Sequence, residues 1–193
     1  PMIVSGAGFG GLVAAHMALQ DPTLAGAVLV CPALGVPKDP PIPRAIPRAV
    51  GALLAWAVPN MRLVPFPVAK LSKDKAAIRS LLDDPLVKVG NLRSKVGYEV
   101  LRAFTKFKKR YLEFGVPLLV LHGELDTCTS VKASEKFVKR VGSHDKKLVI
   151  LPGMGHMCMH EPGKEKILEL LTDFVLSRVA DAEAAAAGAA GAA

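Results

Sequence analysis

The chain has 193 residues, of which 51% are hydrophobic and 22% charged, and its formal net charge is +8. This length predicts one sizeable hydrophobic core, and no apolar run reaches the roughly 18 residues that indicate a membrane span. The chain has only two tyrosines and one tryptophan, and its basic side chains are scattered, so we interpret the charge as solvated surface and expect no nucleic-acid partner.

The first part of the chain, residues 1–35, predicts a strand, a tight turn, a helix and a second strand. A short apolar run at 2–5 precedes a glycine-rich turn at 6–11, and an Ala- and Leu-rich stretch at 12–20 is typical of a buried helix. Residues 26–31 are apolar throughout and indicate another strand. Apolar strands that alternate with helices favour a parallel sheet covered on both faces.

Residues 36–115 have a different pattern. They begin with a proline-rich segment at 37–47 and then contain three stretches with helical periodicity but no strand pattern. We therefore predict a helical insertion. Its first helix has apolar residues on one face, namely Ile46, Val50, Leu53, Leu54 and Val58.

The strand and helix alternation resumes over residues 116–179. Strands are expected at 117–121 and 147–151, and amphipathic helices at 130–141, where Ser130 fits an N-cap, and at 164–179. Residues 180–193 are nearly all Ala and Gly. Because such a tail buries little apolar surface, we expect it to be disordered or to form a frayed helical extension.

Three strand ends carry small or polar residues, and sites in open α/β sheets lie at the carboxyl ends of strands. They are the turn at 6–11, Asp126 after the third strand and His156 after the fourth. Glu124 competes with Asp126 as the acid, and register favours Asp126. Three other histidines have structural interpretations: His122 under the acid loop, His160 on the surface and His16 in the core or an interface.

Four segments resemble the monoacylglycerol lipases of the α/β-hydrolase superfamily. They are Met-Ile-Val-Ser-Gly-Ala-Gly-Phe-Gly-Gly at 2–11, Asp-Asp-Pro-Leu-Val at 83–87, Pro-Leu-Leu-Val-Leu-His-Gly-Glu-Leu-Asp at 117–126, and Gly-Met-Gly-His at 153–156 followed by His-Glu-Pro at 160–162. The resemblance implies a partial α/β-hydrolase fold with a mostly parallel sheet, flanking helices and a helical cap. It also implies an acyl ester or monoacylglycerol-like substrate, with no cofactor and no metal.

The order of turn, acid and histidine is that of the hydrolase triad. By the resemblance, a serine in the turn would attack the ester carbonyl and His156 would accept its proton. Asp126 would orient the imidazole, and the backbone N–H of Phe9 would contribute to the oxyanion hole.

The chain departs from the family at the centre of the motif. The family has Gly-x-Ser-x-Gly, whereas this chain has Gly6-Ala7-Gly8-Phe9-Gly10. Gly8 occupies the nucleophile position without a side chain, and loss of such a serine costs on the order of 10⁶ in turnover. Ser5, Cys128 and Cys158 do not lie on the turn, and we interpret the two thiols as small pocket or core residues.

Three functional hypotheses follow. The chain is a lipase-type hydrolase that is impaired or inactive as written, a non-catalytic module that binds lipids or small esters or acts in signalling, or an active esterase whose sequence is altered at Gly8. A change of Gly8 to serine separates the second from the others.

Further expectations concern location and partners. Cys31, Cys128 and Cys158 are odd in number and lack metal-ligand spacing, which favours free thiols in the cytoplasm. The cap residues Leu53, Leu54 and Trp56, with basic side chains at Arg44, Arg48 and Arg62, allow peripheral membrane contact, and the alternative is that the apolar residues pack onto the core.

The resemblance also implies strands before the turn that this sequence does not supply. The first strand is then an exposed edge, for which we expect either the missing N-terminal strands or self-association.

Overall fold

A computed structural model describes residues 1–36, 47–66 and 68–190, and the side chains up to residue 187. The proline-rich segment at 37–46, with Arg44 and Ile46, therefore lies outside the described residues. Four strands, β1 (Ile3–Ala7), β2 (Gly26–Val30), β3 (Leu118–Gly123) and β4 (Lys146–Leu151), form one parallel sheet in the order β1-β2-β3-β4. The predicted parallel α/β architecture is confirmed.

The helices are α1 (Phe9–Gln20), α2 (Arg48–Ala57), α3 (Lys75–Asp83), α4 (Ser94–Lys109), α5 (Val131–Arg140) and α6 (Lys164–Ala190). Short 3₁₀ turns occur at Val68–Lys70, Tyr111–Glu113 and Cys158–His160. Ser130 caps α5 as expected, because its Oγ accepts a hydrogen bond from the N–H of Ala133. None of the helices in the described part of the chain is both long and apolar enough to cross a bilayer.

The central strands are buried on both faces, which explains why they are apolar without alternation. Leu29, Leu118 and Val120 point towards α1, α4 and α5, where the core includes Phe107, Phe114 and Phe137. The intervening residues Val28, Val30, Leu119 and Leu121 point to the other face, towards Ile167 of α6. The sheet thus carries a hydrophobic layer on each side.

Two boundaries differ from the predictions. Helix α1 begins at Phe9 and not at residue 12, because the turn at Gly8 leads directly into the helix although glycine is a poor helix former. At the other end of the chain, α6 continues to Ala190, beyond the expected end at residue 179, so of the two alternatives for the Ala-rich segment the helical extension holds over these residues. Alanine has the highest helix propensity, and α6 supplies the preceding turns.

The region between β2 and β3 contains three helices in its described part, and its β pairing there is limited to a single bridge between Val64 and Leu92. Helix α2 packs on α4 and buries only Ala55. Its apolar side chains at Val50, Leu53, Leu54 and Trp56 are exposed, so they do not pack onto the core. The C-terminal part of α4 does reach the core, through the fully buried ring of Phe107.

Candidate active site

The turn after β1 is a sharp strand-to-helix elbow. Gly8 has φ 53° and ψ −121°, a backbone conformation that side-chain-bearing residues rarely adopt. The elbow is held against the end of β2, because the N–H of Gly8 donates to the carbonyl of Val30 and the N–H of Ala33 donates to the carbonyl of Gly8. A Cβ at Gly6 would lie 2.2 Å from the carbonyl oxygen of Gly10, so this close turn requires glycine there.

The structure brings Gly8 and His156 together. A Cβ built on Gly8 lies 3.2 Å from Nε2 of His156 and 3.6 Å from its Cε1. Gly8 itself is buried, and the His156 side chain is 15% exposed. A side chain at position 8 would therefore point at the imidazole nitrogen, as a nucleophile on a hydrolase elbow does.

His156 is oriented by Asp126. Nδ1 of the imidazole lies 2.8 Å from Oδ2 of Asp126, whose side chain is fully buried. An ionised carboxylate only accepts hydrogen bonds, so the ring hydrogen is assigned to Nδ1 and Nε2 is left as the acceptor that faces Gly8. This is the tautomer that a general base needs.

Hydrogen bonds from its own loop hold the Asp126 carboxylate in place. Its Oδ1 accepts hydrogen bonds from the N–H groups of Cys128 and Thr129, at 2.7 and 2.9 Å, and its Oδ2 accepts one from the Thr129 hydroxyl at 2.6 Å. Nε2 of His122 lies 3.2 Å from the same Oδ2. Burial alone would raise the pKa of Asp126, but the hydrogen bonds from His122, His156 and Thr129 outweigh it and hold this pKa well below its usual range.

The other candidate residues have structural positions. Glu124 accepts a hydrogen bond from the N–H of Gly153 and does not contact His156, so it ties the two loops together. His122 is fully buried beneath the acid loop, where its Nδ1 lies 2.9 Å from the Ser134 hydroxyl, as predicted. His160 is exposed, and the ring of His16 packs on Phe107, 5.2 Å between centroids.

Cys31 was predicted only to be a free thiol, yet it lies next to Asp126 and His156. Its Sγ is 3.7 Å from Sγ of Cys158, and it accepts a hydrogen bond from the N–H of Gly123. Contact with Cys158 and burial raise the pKa of the Cys31 thiol, which keeps it neutral. Its position just after β2, at the carboxyl edge of the sheet, was the signal that could have identified it.

Cys31, Asp126 and His156 each offer a ligand atom, and these atoms lie within 4.8 Å of one another. Such a cluster has the donor types of a zinc site. However, both oxygens of Asp126 already accept hydrogen bonds from the loop and from histidines. A metal ion would have to displace these hydrogen bonds. We therefore interpret Asp126 as the residue that orients His156 and not as a metal ligand.

Three further residues bear on the site, namely Phe9, Ser5 and Cys128. Phe9 is the first residue of α1, and the N–H groups in the first turn of a helix have no partner within it. Ser5 is exposed on β1. The Cys128 thiol donates to the carbonyl of Lys70, and burial together with the negative charge of Asp126 raises its pKa to about 11. The raised pKa disfavours the Cys128 thiolate, which is the nucleophilic form.

A surface cleft of about 430 Å³ lies beside the histidine loop and is lined by Lys73, Asp74, Pro152, Gly153, Met154, Glu161 and Pro162. Neither Gly8 nor His156 lines it. Since an ester must reach His156 to react, we do not assign this cleft as the acyl site.

Comparisons with known proteins identify the family of this chain. The family model described as "Serine aminopeptidase, S33" (Hydrolase_4) matches residues 1–163. A monoacylglycerol lipase of Mycolicibacterium smegmatis is 27% identical over 181 residues, which cover 93% of this chain and 63% of the relative. The chain thus spans less than two thirds of the length of this curated relative.

Solved structures show the same fold. The monoacylglycerol lipase of Paleococcus ferrophilus superposes with a TM-score of 0.82 at 23% identity, over 91% of this chain and 68% of that one. A soluble variant of the monoglyceride lipase of Saccharomyces cerevisiae, in complex with a substrate analog, gives a TM-score of 0.79 at 21% identity, over 92% and 62%. Both likenesses support an α/β-hydrolase architecture.

Proposed function

The chain belongs to the Hydrolase_4 family of α/β-hydrolases and is similar to the monoacylglycerol lipases, and from this premise we propose that it carries an acyl-ester site of the lipase type whose covalent step is lost. The observation that carries the proposal is the alignment of Gly8, His156 and Asp126. Nε2 of His156 lies 3.2 Å from a Cβ at Gly8, and its Nδ1 lies 2.8 Å from Asp126.

In this proposal each group keeps its role from the family mechanism except the nucleophile. His156 is the general base and acid, Asp126 holds its tautomer and stabilises the imidazolium, and the N–H of Phe9 donates to the developing oxyanion. Gly8 cannot form an acyl-enzyme because it has no hydroxyl. The substrate class is an acyl ester or a monoacylglycerol-like molecule, which the names of the relatives support.

The test is a change of Gly8 to serine followed by labelling with a fluorophosphonate probe. It is made in two formats, the chain itself and the chain preceded by the N-terminal third of the M. smegmatis relative. We expect the serine variant to be labelled, and the Gly8→Ser, His156→Ala double variant not to be. Absence of labelling in both formats would overturn the proposal and favour the second candidate, a non-catalytic module that binds lipids or small esters.

The cap supports membrane contact as part of this function. Leu53 and Trp56 of α2 are 59% and 80% exposed, and Arg48 and Arg62 are exposed nearby. Apolar side chains flanked by basic ones suit an anionic membrane surface. We propose that α2 rests on the membrane that holds the substrate, with the protein in the cytoplasm, which its three free thiols support.

The outer edge of β1 suggests a further partner, namely another β-strand. Within the described residues β1 pairs with β2 alone, so its outer N–H and C=O groups can take up another strand. We propose that this edge binds a strand, from additional hydrolase sequence or from a second copy. Light scattering should show association of the chain alone that decreases when the N-terminal third of the relative precedes it. A monodisperse monomer with cooperative melting of the chain alone would contradict this.

A further inference from the structure

The space beside Gly8 suits a water molecule next to His156. Among the residues that the structure describes, and apart from the chain neighbours of Gly8, the only atoms within 4 Å of its Cβ position are Nε2 and Cε1 of His156. A serine hydroxyl on this Cβ would therefore lie beside the free acceptor nitrogen, and no other described residue beyond the two chain neighbours comes within 4 Å of the Cβ position. A hydrogen-bonded oxygen lies about 2.8–3.0 Å from such a nitrogen, so one water oxygen fits there.

We propose that Asp126 and His156 activate this water directly, so that the chain hydrolyses esters slowly without an acyl-enzyme. The inference rests on the proposed function, because it requires an ester bound at the elbow. It differs from the family mechanism in the attacking group and in the number of chemical stages.

The step balances as an ordinary ester hydrolysis. The water oxygen bonds to the carbonyl carbon while one of its protons passes to Nε2 of His156, and the carbonyl electron pair moves to the oxygen that faces the N–H of Phe9. When the tetrahedral intermediate collapses, the bond to the alkoxy oxygen breaks, and that oxygen takes the proton from Nε2. Free acid and alcohol leave, and the protein is unchanged.

The electrostatics of the site favour this route. The imidazolium that forms is stabilised by the buried Asp126 carboxylate, which is itself held ionised by Thr129 and His122. Triads that have lost a member retain roughly 10³–10⁴-fold catalysis over water, and a positioned general base contributes about 10²–10⁴-fold. We therefore expect hydrolysis roughly 10³-fold above the buffer rate, far below that of a serine enzyme.

The test measures p-nitrophenyl butyrate hydrolysis, in whichever of the two formats the Gly8→Ser variant takes up the fluorophosphonate probe. The unmodified chain should show a linear time course without a burst and no added mass by intact mass spectrometry. The Gly8→Ser variant should show a burst and an added butyryl group. His156→Ala should lower the rate of the unmodified chain by about 10²-fold or more.

The decisive variant is Gly8→Ala. Its methyl group would lie 3.2 Å from Nε2 and exclude the water while leaving Asp126 and His156 in place. Alanine and serine meet the same backbone strain at φ 53°, so labelling of the serine variant shows that a Cβ at this position is tolerated. We expect Gly8→Ala to lose the activity to the same extent as His156→Ala.

His144→Ala is the matched control, because His144 is exposed and precedes β4 at the opposite end of the sheet. Its rate should equal that of the unmodified chain. If Gly8→Ser is labelled but the unmodified chain hydrolyses no faster than its His156→Ala or Gly8→Ala variant, the water mechanism is wrong and the proposed function stands. If Gly8→Ser is not labelled in either format, the proposed function itself fails, and this inference with it.

Discussion

The hydroxyl of Ser72 donates a hydrogen bond to Oε1 of Glu161 across 3.2 Å, and both side chains are buried. Oε2 of Glu161 accepts a second hydrogen bond, from the N–H of Gly155 at 2.8 Å. The N–H of Met157 also donates to the carbonyl of Leu71. The first and third of these hydrogen bonds connect the segment around Leu71 and Ser72 to the loop that carries His156.

This relationship predicts the effect of Glu161→Gln. With the amide oxygen on the N–H of Gly155, the amide NH₂ would meet the Ser72 hydroxyl, which can turn to accept. Two neutral hydrogen bonds then replace two bonds to a carboxylate, so we expect a loss of about 1–2 kcal/mol in the free energy of unfolding. Urea denaturation at pH 7 measures it. Glu165→Gln, on the exposed first turn of α6, should change this free energy by less than about 0.5 kcal/mol. Equal stabilities of the two variants would contradict the prediction.

Because the pKa of Asp126 is lowered in the folded chain, the free energy of unfolding should fall at acidic pH. Because the folded pKa lies below the unfolded value of about 3.9, the unfolded chain binds the proton first. The carboxylate therefore contributes its full stability above that pH, and the contribution is lost as pH falls further towards the folded pKa. Asp126→Asn should be less stable at pH 7 by about 2–3 kcal/mol, with a flatter decline in acid.

Urea denaturation curves at pH 7, 5, 4 and 3 measure this. Asp173→Asn, at an exposed position on α6, is the matched control and should retain the acid dependence of the unmodified chain. A parallel decline in the Asp126→Asn and Asp173→Asn variants would show that Asp126 is not the group responsible.

Cys128 should react slowly with alkylating reagents. Its thiol has a pKa of about 11 against an ordinary 9.0, because burial and the charge of Asp126 oppose the thiolate. At pH 8 the thiolate fraction is then about 100-fold below that of an ordinary thiol. Iodoacetamide labelling followed by peptide mass spectrometry should show this deficit, and Asp126→Asn should partly relieve it. Fast labelling of Cys128 at pH 8 would contradict the prediction and make Cys128 a candidate nucleophile again.

The exposed face of α2 predicts membrane binding. We expect the chain to float with phosphatidylcholine vesicles that contain about 30% phosphatidylserine, because apolar insertion and basic charge act together. The triple variant Leu53→Ser, Leu54→Ser, Trp56→Ser should bind at least about 10-fold more weakly. Leu168→Ser is the control, because it changes a residue that is 53% exposed on α6, across the sheet. If the triple variant binds the vesicles as strongly as the unmodified chain, α2 is not the membrane-binding element.

Much of the site was predictable because each part is a local pattern. The apolar runs located β2, β3 and β4 to within two residues. The two central strands β2 and β3 are buried on both faces, which requires apolar residues at nearly every position. The residues that follow those strands gave Asp126 and His156. The start of α1 was missed because the glycine-rich turn hides the first helical turn.

The sequence by itself determined the alternation of strands and helices, the order of turn, acid and histidine, and the absence of a hydroxyl at Gly8. The tertiary structure alone decided that Gly8 faces Nε2 of His156, that Cys31 meets Cys158, that Glu161 holds Ser72, and that the apolar face of α2 is exposed. The physical reason is that the pattern of apolar and polar residues in one helix or strand depends on how that element alone is buried. Distances between strand ends depend on how the parallel strands pair and which loops cross above them.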